Sequence, residues 1–374
     1  MAPTTATERD TRHLKRAIEL AAKARGETSP NPLVGAVVAR GDTVLGEGFH
    51  ARAGEPHAER MALASCQDDP AGATMYVSLE PCCHSGRTPP CTDAIVEAGL
   101  ARVVVASDDP TRKASGRGLG ILRDEGIAVQ MADEETARGA RLLNQPFRKH
   151  ARTGRPLVIL KSAMTLDGKV ATAGGDSQWI SGEASRARGH RWRAECDAVA
   201  VGAKTALKDD PCLTARVEGV ARQPLRIVFD SEACLALDSN LVHSAGEVPV
   251  TVISSRAAAR SRTDALRNAG VEVIVCSGQN EAARVTAALD ELGSRDIQSL
   301  LLEGGPHLAG VFLEAGQIDE ARMFVAPLLL GGREARAAIE AQGVERIADA
   351  DRAIATEVER IDDDVLITAR MREW

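Results

Sequence analysis

The sequence predicts an α/β protein built from two consecutive layered domains, and three observations carry that prediction. The chain has 374 residues, more than one hydrophobic core ordinarily serves. Short apolar runs alternate with amphipathic segments along most of its length, the pattern of strands joined by helices. The pattern is interrupted at Gln145 to Pro156, a basic stretch carrying Gly154 and two prolines that reads as a linker. The predicted division is therefore residues 1–150 and 151–374.

In the first domain, His13 to Arg25 places Leu14, Ala17, Ile18 and Ala21 on one helical face, with Asp10 or Thr11 as cap. Ser29-Pro30-Asn31-Pro32 is a rigid loop. Val34 to Ala39 and Thr43 to His50 pair as a hairpin around Arg40-Gly41-Asp42. Pro56 opens a helix to about Cys66, and Thr74 to Leu79 is a strand delivering Glu80-Pro81-Cys82. A helix capped by Thr88 runs to Ala98. A strand at Arg102 to Ser107, a helix at Arg117 to Glu125 and a strand at Ile127 to Gln130 complete the domain.

After the linker the alternation restarts. Strands are expected at Leu157 to Ala163, Ala198 to Val201, Leu225 to Phe229, Val248 to Ile253, Val271 to Val275 and Ser299 to Leu302. Helical segments between them favour a mostly parallel sheet. Asp319 to Pro327 and Asp364 to Met371 read as further strands.

Composition narrows the function. Hydrophobic residues at 44% suit well-packed domains, and a net charge of −7 argues against a nucleic-acid groove. Three Trp, one Tyr and five Phe leave little for base stacking. Eight cysteines are scattered rather than spaced as a disulfide framework, so a reducing cytoplasm is expected. Residues 1–12 are polar and no 18-residue apolar run exists, so neither a signal peptide nor a membrane span is expected.

His57-Ala58-Glu59, read with Cys82 and Cys91, carries the chemistry. One imidazole and two thiolates make a three-ligand zinc site whose fourth position stays open for water, whereas a structural site closes with a fourth side chain. Glu59 is then free to shuttle protons. His-x-Glu followed by Pro-Cys is the pattern of zinc deaminases. Three thiolate pairs compete: Cys82 with Cys91, Cys83 with Cys91, and Cys82 with Cys83. Adjacent side chains diverge, which disfavours Cys82 with Cys83, and Cys82 directly follows Pro81 as in the general pattern, which favours Cys82 with Cys91. Cys91, after Thr88-Pro89-Pro90, falls at a helix N-terminus, where the dipole favours thiolate. In the second half, Glu303-Gly304-Gly305-Pro306-His307-Leu308 follows a strand and opens a helix, an arrangement able to receive a phosphate. Plain steric need at such a turn explains its glycines as well.

Taken together, the motifs resemble the bifunctional deaminase–reductases of riboflavin biosynthesis. The first half carries Pro30-Asn31-Pro32-Leu33-Val34-Gly35, Gly54-Glu55-Pro56-His57-Ala58-Glu59, and Glu80-Pro81-Cys82-Cys83-His84-Ser85-Gly86-Arg87-Thr88-Pro89-Pro90-Cys91. The second carries Thr165-Leu166-Asp167-Gly168-Lys169, Ser177-Gln178-Trp179-Ile180, Gly202-Ala203-Lys204-Thr205, Asp209-Asp210-Pro211 and Glu303-Gly304-Gly305. The resemblance implies a cytidine-deaminase-like three-layer domain followed by a dihydrofolate-reductase-like α/β domain, with Zn2+ and NADPH as cofactors. It implies Glu59 as the proton carrier, zinc on His57, Cys82 and Cys91, and a deaminase substrate at Asn31, His50, His84, Arg87 and Asp109. It places NADPH at Ala163, Trp179, Thr205, Asp209, Ser231, Gly305, Pro306, His307 and Leu308. The reductase substrate then meets Ser177, Arg193, Leu213, Arg216 and Glu303. A cytoplasmic homo-oligomer, dimer or tetramer through the reductase half, goes with it, as does a phosphorylated pyrimidine as substrate. Thr111-Arg112 after Asp109-Pro110, Cys83 and Leu328 depart from the family pattern. The competing expectation is a deaminase whose second half is only a scaffold.

Overall fold

The computed structural model describes residues 7–84, 89–220 and 222–374. Arg87 and Thr88, expected as a substrate contact and a helix cap, lie outside the described residues. The chain divides into two units, Met1–Gly154 with Trp374, and Arg155–Glu373.

The first unit runs α1 (Glu8–Ala22), β1 (Gly35–Arg40), β2 (Thr43–Phe49), α2 (Ala58–Ala64), β3 (Thr74–Val77), α3 (Cys91–Glu97), β4 (Arg102–Val105), α4 (Arg117–Asp124), β5 (Ala128–Met131), α5 (Glu134–Leu143) and α6 (Gln145–Thr153). Its sheet has the order β2-β1-β3-β4-β5. The predicted hairpin makes the antiparallel β1–β2 edge, and β3, β4 and β5 are parallel. Successive strand residues point to opposite faces, so one short strand feeds two cores. Ala36 and Val38 pack with Met75, Val77 and Ile95 on one side, against α2, α3 and α4. Val37, Ala39 and Tyr76 pack on the other side with Leu14, Ala17 and Leu20 of α1 and Ala140 of α5. The result is three layers.

α1 begins earlier than its apolar periodicity implies because Thr7 caps it. Thr7 Oγ1 accepts the Asp10 N–H at 3.2 Å, and the Asp10 carboxylate accepts the Thr7 N–H at 3.0 Å. Asp10 is therefore not the cap but the centre of a buried network. Its carboxylate receives two Arg102 bonds at 2.8 Å and the Tyr76 hydroxyl at 3.0 Å. Burial pushes this carboxyl up, yet the Arg102 and Thr7 bonds outweigh it and hold the group well below 3.8. A depressed folded-state pKa contributes stability above the unfolded value and loses it as pH falls through the acid range. Asp10→Asn is thus expected to cost roughly 2–3 kcal/mol at pH 7, since Arg102 still reaches solvent, and much less near pH 2. Urea midpoints at the two pH values check this.

The stretch expected to be a linker is not one. Gln145–Thr153 is helical, with Pro146 in its first turn and Gly154 as a left-handed C-cap at φ 73°. Basic composition concealed a helix that buries Gln145, Arg148 and Lys149.

The second unit runs β6 (Leu157–Thr165), β7 (Lys169–Ala171), α7 (Glu183–Glu195), β8 (Ala198–Gly202), α8 (Ala203–Asp209), β9 (Leu225–Phe229), α9 (Asn240–His243), β10 (Val250–Ser254), α10 (Arg260–Asn268), β11 (Glu272–Val275), α11 (Glu281–Ser294), β12 (Ser299–Leu302), α12 (Pro306–Glu314), β13 (Glu320–Ala326), β14 (Arg336–Ala337), β15 (Ala355–Ile361) and β16 (Asp364–Arg370). The main sheet has the order β11-β10-β9-β8-β12-β6-β13-β16-β15. It is parallel from β11 to β13. Antiparallel β16 and β15 close one edge. β15 was not foreseen, because its middle residues are exposed and mostly charged and so carry no apolar run. β12 returns between β8 and β6, which sets the C-terminal ends of β8 and β12 side by side at a reversal of strand order. Open α/β sheets bind ligands at such a reversal. Among the described residues no helix is long and apolar enough to cross a membrane.

Candidate active site

Three donors converge at two helix N-termini. His57 is the N-cap of α2 and Cys91 is the first residue of α3, where Pro90 rather than a first-turn proline forms the cap. His57 Nδ1 stands 3.3 Å from Cys91 Sγ and 3.5 Å from Cys82 Sγ. All three donor atoms lie within 4.8 Å of one another. The free N–H groups of α3 hold the Cys82 turn in place. Its carbonyl accepts from Cys91 at 3.0 Å and from Thr92 at 3.2 Å, and its sulfur accepts from the Cys91 N–H at 3.3 Å. The Cys91 bond, and then His57, hold the Cys82 thiol down at about 4 against the opposing effect of burial. Cys91, bonded to that sulfur and buried, keeps its proton more tightly. Cys83 stands apart, its Sγ 3.9 Å from the Lys113 carbonyl.

Glu59 lies in the first turn of α2, 3% exposed. Burial, then the charge on Cys82, pushes its carboxyl up to about 7, and it shares a hydrogen bond with the Cys91 side chain. Beside it, His50 Nδ1 is 3.2 Å from the Pro56 carbonyl and Nε2 is 3.0 Å from Asn31 Nδ2. A carbonyl only accepts, so Nδ1 carries the proton and Nε2 accepts from Asn31. Burial lowers the His50 pKa and keeps the ring neutral. Asp109, 8% exposed, is pushed up by burial and accepts the Thr111 N–H at 2.7 Å. His84 is exposed, and its charge acts on Asp109.

Glu80 was quoted in the sequence motif but given no role. Its buried carboxylate accepts backbone N–H groups from Gly116 at 2.9 Å, Gly118 at 3.2 Å and Asp109 at 3.5 Å. It thereby ties the Cys82 turn to the Asp109 loop. An acid directly before Pro-Cys at a strand end was the available signal.

The second unit holds a cleft of 540 Å³ at the C-terminal ends of β8, β9 and β12. Ser177, Thr205, Asp209, Ser231, Glu303, Gly305, Pro306, His307 and Leu308 line it. Ala163, Trp179, Arg193, Leu213 and Arg216 are not in its wall. Ala163 adjoins Ser162, which is. Arg193 lies behind Glu303, joined by bonds of 2.6 and 3.0 Å, with Lys161 at 3.5 Å on the same carboxylate. Burial pushes Glu303 up, but Lys161 and Arg193 prevail and hold it at about 2. Lys161 escaped the sequence reading, although a lysine after Leu157-Val158-Ile159-Leu160 is a visible anomaly in a buried strand. Trp179 is 68% exposed beneath the Arg186 guanidinium, 4.7 Å from the ring centroid. Leu213 is buried at φ 54°, and Arg216 contacts His190 at 3.0 Å.

Two family models match the halves separately: the cytidine and deoxycytidylate deaminase zinc-binding region over residues 7–107, and the RibD C-terminal domain over 156–367. The riboflavin biosynthesis protein RibD of Actinobacillus pleuropneumoniae is 41% identical over 363 residues, covering 96% of this chain and 95% of its own. The chain belongs to the RibD family. The RibD protein of Aquifex aeolicus is 42% identical over 87% of this chain and 88% of its own. Among solved structures, Acinetobacter baumannii RibD superposes with TM-score 0.84 at 36% identity, covering 98% and 99% of the two chains. A Thermotoga maritima diaminohydroxyphosphoribosylaminopyrimidine deaminase/5-amino-6-(5-phosphoribosylamino)uracil reductase does so with TM-score 0.84 at 34% identity over 97% and 99%.

As a RibD-family member the chain is an enzyme of riboflavin biosynthesis that joins a deaminase to a reductase, with Zn2+ and NADPH as cofactors. The residues fit both. Two sulfurs and one imidazole nitrogen at one focus are a zinc donor set. The cleft is bounded by strand-to-helix turns at Gly202 and at Gly305, the second leaving little room for a side chain. A Cβ on Gly305 would sit 3.2 Å from Thr205 Oγ1. In the RibD deaminase half, Gly118 permits a tighter approach, since a Cβ there would sit 2.3 Å from the Pro81 carbonyl. Gly118→Ala is expected to displace the Pro81-Cys82 turn, costing about 1–3 kcal/mol and lowering zinc per chain. Thermal unfolding and atomic absorption check it.

Proposed function

We propose that the first unit deaminates 2,5-diamino-6-ribosylamino-4(3H)-pyrimidinone 5′-phosphate and that the second reduces the ribosyl chain of the product. The final product is 5-amino-6-ribitylaminouracil 5′-phosphate. The convergence of His57, Cys82 and Cys91 beside a buried Glu59 carries the reading, and the name of the Thermotoga maritima relative, a diaminohydroxyphosphoribosylaminopyrimidine deaminase, supports its substrate.

His57, Cys82 and Cys91 would hold zinc, which when bound supplies Lewis acidity and a water of lowered pKa. With its carboxyl near 7, Glu59 can both accept and return a proton at neutral pH. It takes one at its carboxylate oxygen from the attacking water and delivers one to the departing amine, releasing ammonia. Asn31, oriented by neutral His50, and Asp109 orient the pyrimidine, with His84 and Arg87 meeting its phosphate. NADPH, if held by the residues of the 540 Å³ cleft, would supply the hydride. Thr205, Asp209, Ser231 and the Gly305-Pro306-His307-Leu308 turn hold the cofactor. Ser177 and Glu303 hold the sugar from the cleft wall, Leu213 and Arg216 belong to the substrate side from outside that wall, and Arg193 acts by fixing Glu303. Ala163 and Trp179 belong to the cofactor side in this reading. In this reading the first unit, reaching Gly154 rather than residue 150, is the deaminase domain and the second the reductase domain of a cytoplasmic enzyme that associates through its reductase half.

Supplying the diamino substrate with NADPH and following ammonia and NADP⁺ tests this. Equal yields are expected. Ammonia without NADPH oxidation would leave the second unit as a scaffold and overturn the reductase assignment.

A further inference from the structure

We propose that Asn144, with Arg148 one helical turn on, is a positioning residue of the deaminase that holds the Asn31 and Asp109 loops from behind. The inference rests on the reading that Asn31 and Asp109 meet the pyrimidine.

Asn144 is 2% exposed, and its amide spans the backbone of Leu33. Its Oδ1 accepts the Leu33 N–H at 2.8 Å and its Nδ2 donates to the Leu33 carbonyl at 2.9 Å. That is the pair of bonds a neighbouring antiparallel strand would make, supplied here by one side chain. The loop needs it. Pro30 and Pro32 have no N–H, so the stretch around Asn31 cannot anchor itself through a ladder. With Leu33 held and Asn31 bonded to His50, the substrate-facing amide is fixed from both ends.

Arg148, 1% exposed, does the same for the Asp109 loop. Its Nη1 donates to Ser107 Oγ at 3.1 Å and to the Asp108 carbonyl at 2.8 Å, and its Nη2 pairs with the Asp108 carboxylate at 3.1 Å. Asp109 is the next residue. Asn144 joins α5 to α6, and the Arg148 N–H donates to its carbonyl at 2.9 Å, so both side chains leave one face of one helix turn. One segment at the end of the first unit therefore anchors both the loop that carries Asn31 and the loop that carries Asp109.

A misplacement of about 1 Å at a substrate-orienting group costs up to about 100-fold in rate. The test uses the full-length chain. Zinc per chain, deaminase kcat and KM, and reductase activity on the deaminated intermediate are measured for Asn31→Ala, Asn144→Ala, Asn144→Asp, Arg148→Ala and Arg148→Lys. Asn144→Ala is expected to lower deaminase kcat/KM by roughly 10- to 100-fold, chiefly through KM. Zinc stoichiometry and reductase activity should stay at their wild-type values, and Arg148→Lys should recover part of what Arg148→Ala loses. If Asn31→Ala raises KM while Asn144→Ala and Arg148→Ala do not, the positioning role is overturned. If Asn31→Ala leaves KM unchanged, the substrate-contact reading falls and the inference with it. Should Asn144→Ala lose zinc, Asn144→Asp decides, because it keeps the acceptor for Leu33 but not the donor. An unchanged KM in that variant overturns the proposal.

Discussion

Glu59→Gln is expected to lower deaminase turnover by about 10²–10⁴-fold, the range assigned to a positioned proton carrier. Glutamine keeps the shape of the side chain and can still fill the buried site in the first turn of α2, but it cannot take and return a proton. Zinc content should not change, because His57, Cys82 and Cys91 form the donor cluster without it. Reduction of the deaminated intermediate should not change either, because the cleft of the second unit contains no part of this residue. Ammonia release and NADPH oxidation on the same preparation read the contrast. Turnover within a few-fold of wild type would remove Glu59 from the mechanism.

Arg193→Ala is the counterpart in the second unit. It leaves the largely buried Glu303 carboxylate, at the cleft wall, paired with Lys161 alone. Breaking a buried pair from one side costs about 3–5 kcal/mol, because the surviving charge stays desolvated. NADPH oxidation should be lost and the urea midpoint of the second unit should fall. Removing the whole network in Arg193→Met with Glu303→Leu and Lys161→Met should restore the midpoint without restoring oxidation, which separates stability from function. The pH sign follows from the same group. Glu303 is held at about 2, below its ordinary 4.5, so its contribution is complete above pH 4.5 and is lost as pH falls towards 2.

Local chemistry was legible in the sequence, and long-range hydrogen bonding was not. His57 and Glu59 are two residues apart at a helix start, and Cys82 directly follows Pro81, so the motif pointed to His57, Cys82 and Cys91, whose donor atoms the fold brings together. The β1–β2 hairpin and the parallel core of the large sheet followed from period-2 and apolar runs. By contrast, α6 hid behind basic residues whose burial depends on partners far away in sequence: Asn144 finds Leu33 and Arg148 finds Ser107 and Asp108. The position of Glu80 before Pro-Cys was visible but its partners were not, since they are backbone N–H groups, which every residue except proline possesses. The Arg193–Glu303 pair was expected as two separate substrate contacts, yet each carries the other's countercharge. Strand order was beyond the sequence as well, because nothing local announces that β12 returns between β8 and β6.

X-ray absorption at the zinc edge of the metal-loaded full chain tests the central claim most directly. Coordination by two sulfurs, one imidazole nitrogen and one further light atom, unchanged in Cys83→Ser, is the predicted spectrum. Three sulfurs, or loss of one sulfur in Cys83→Ser, would contradict it.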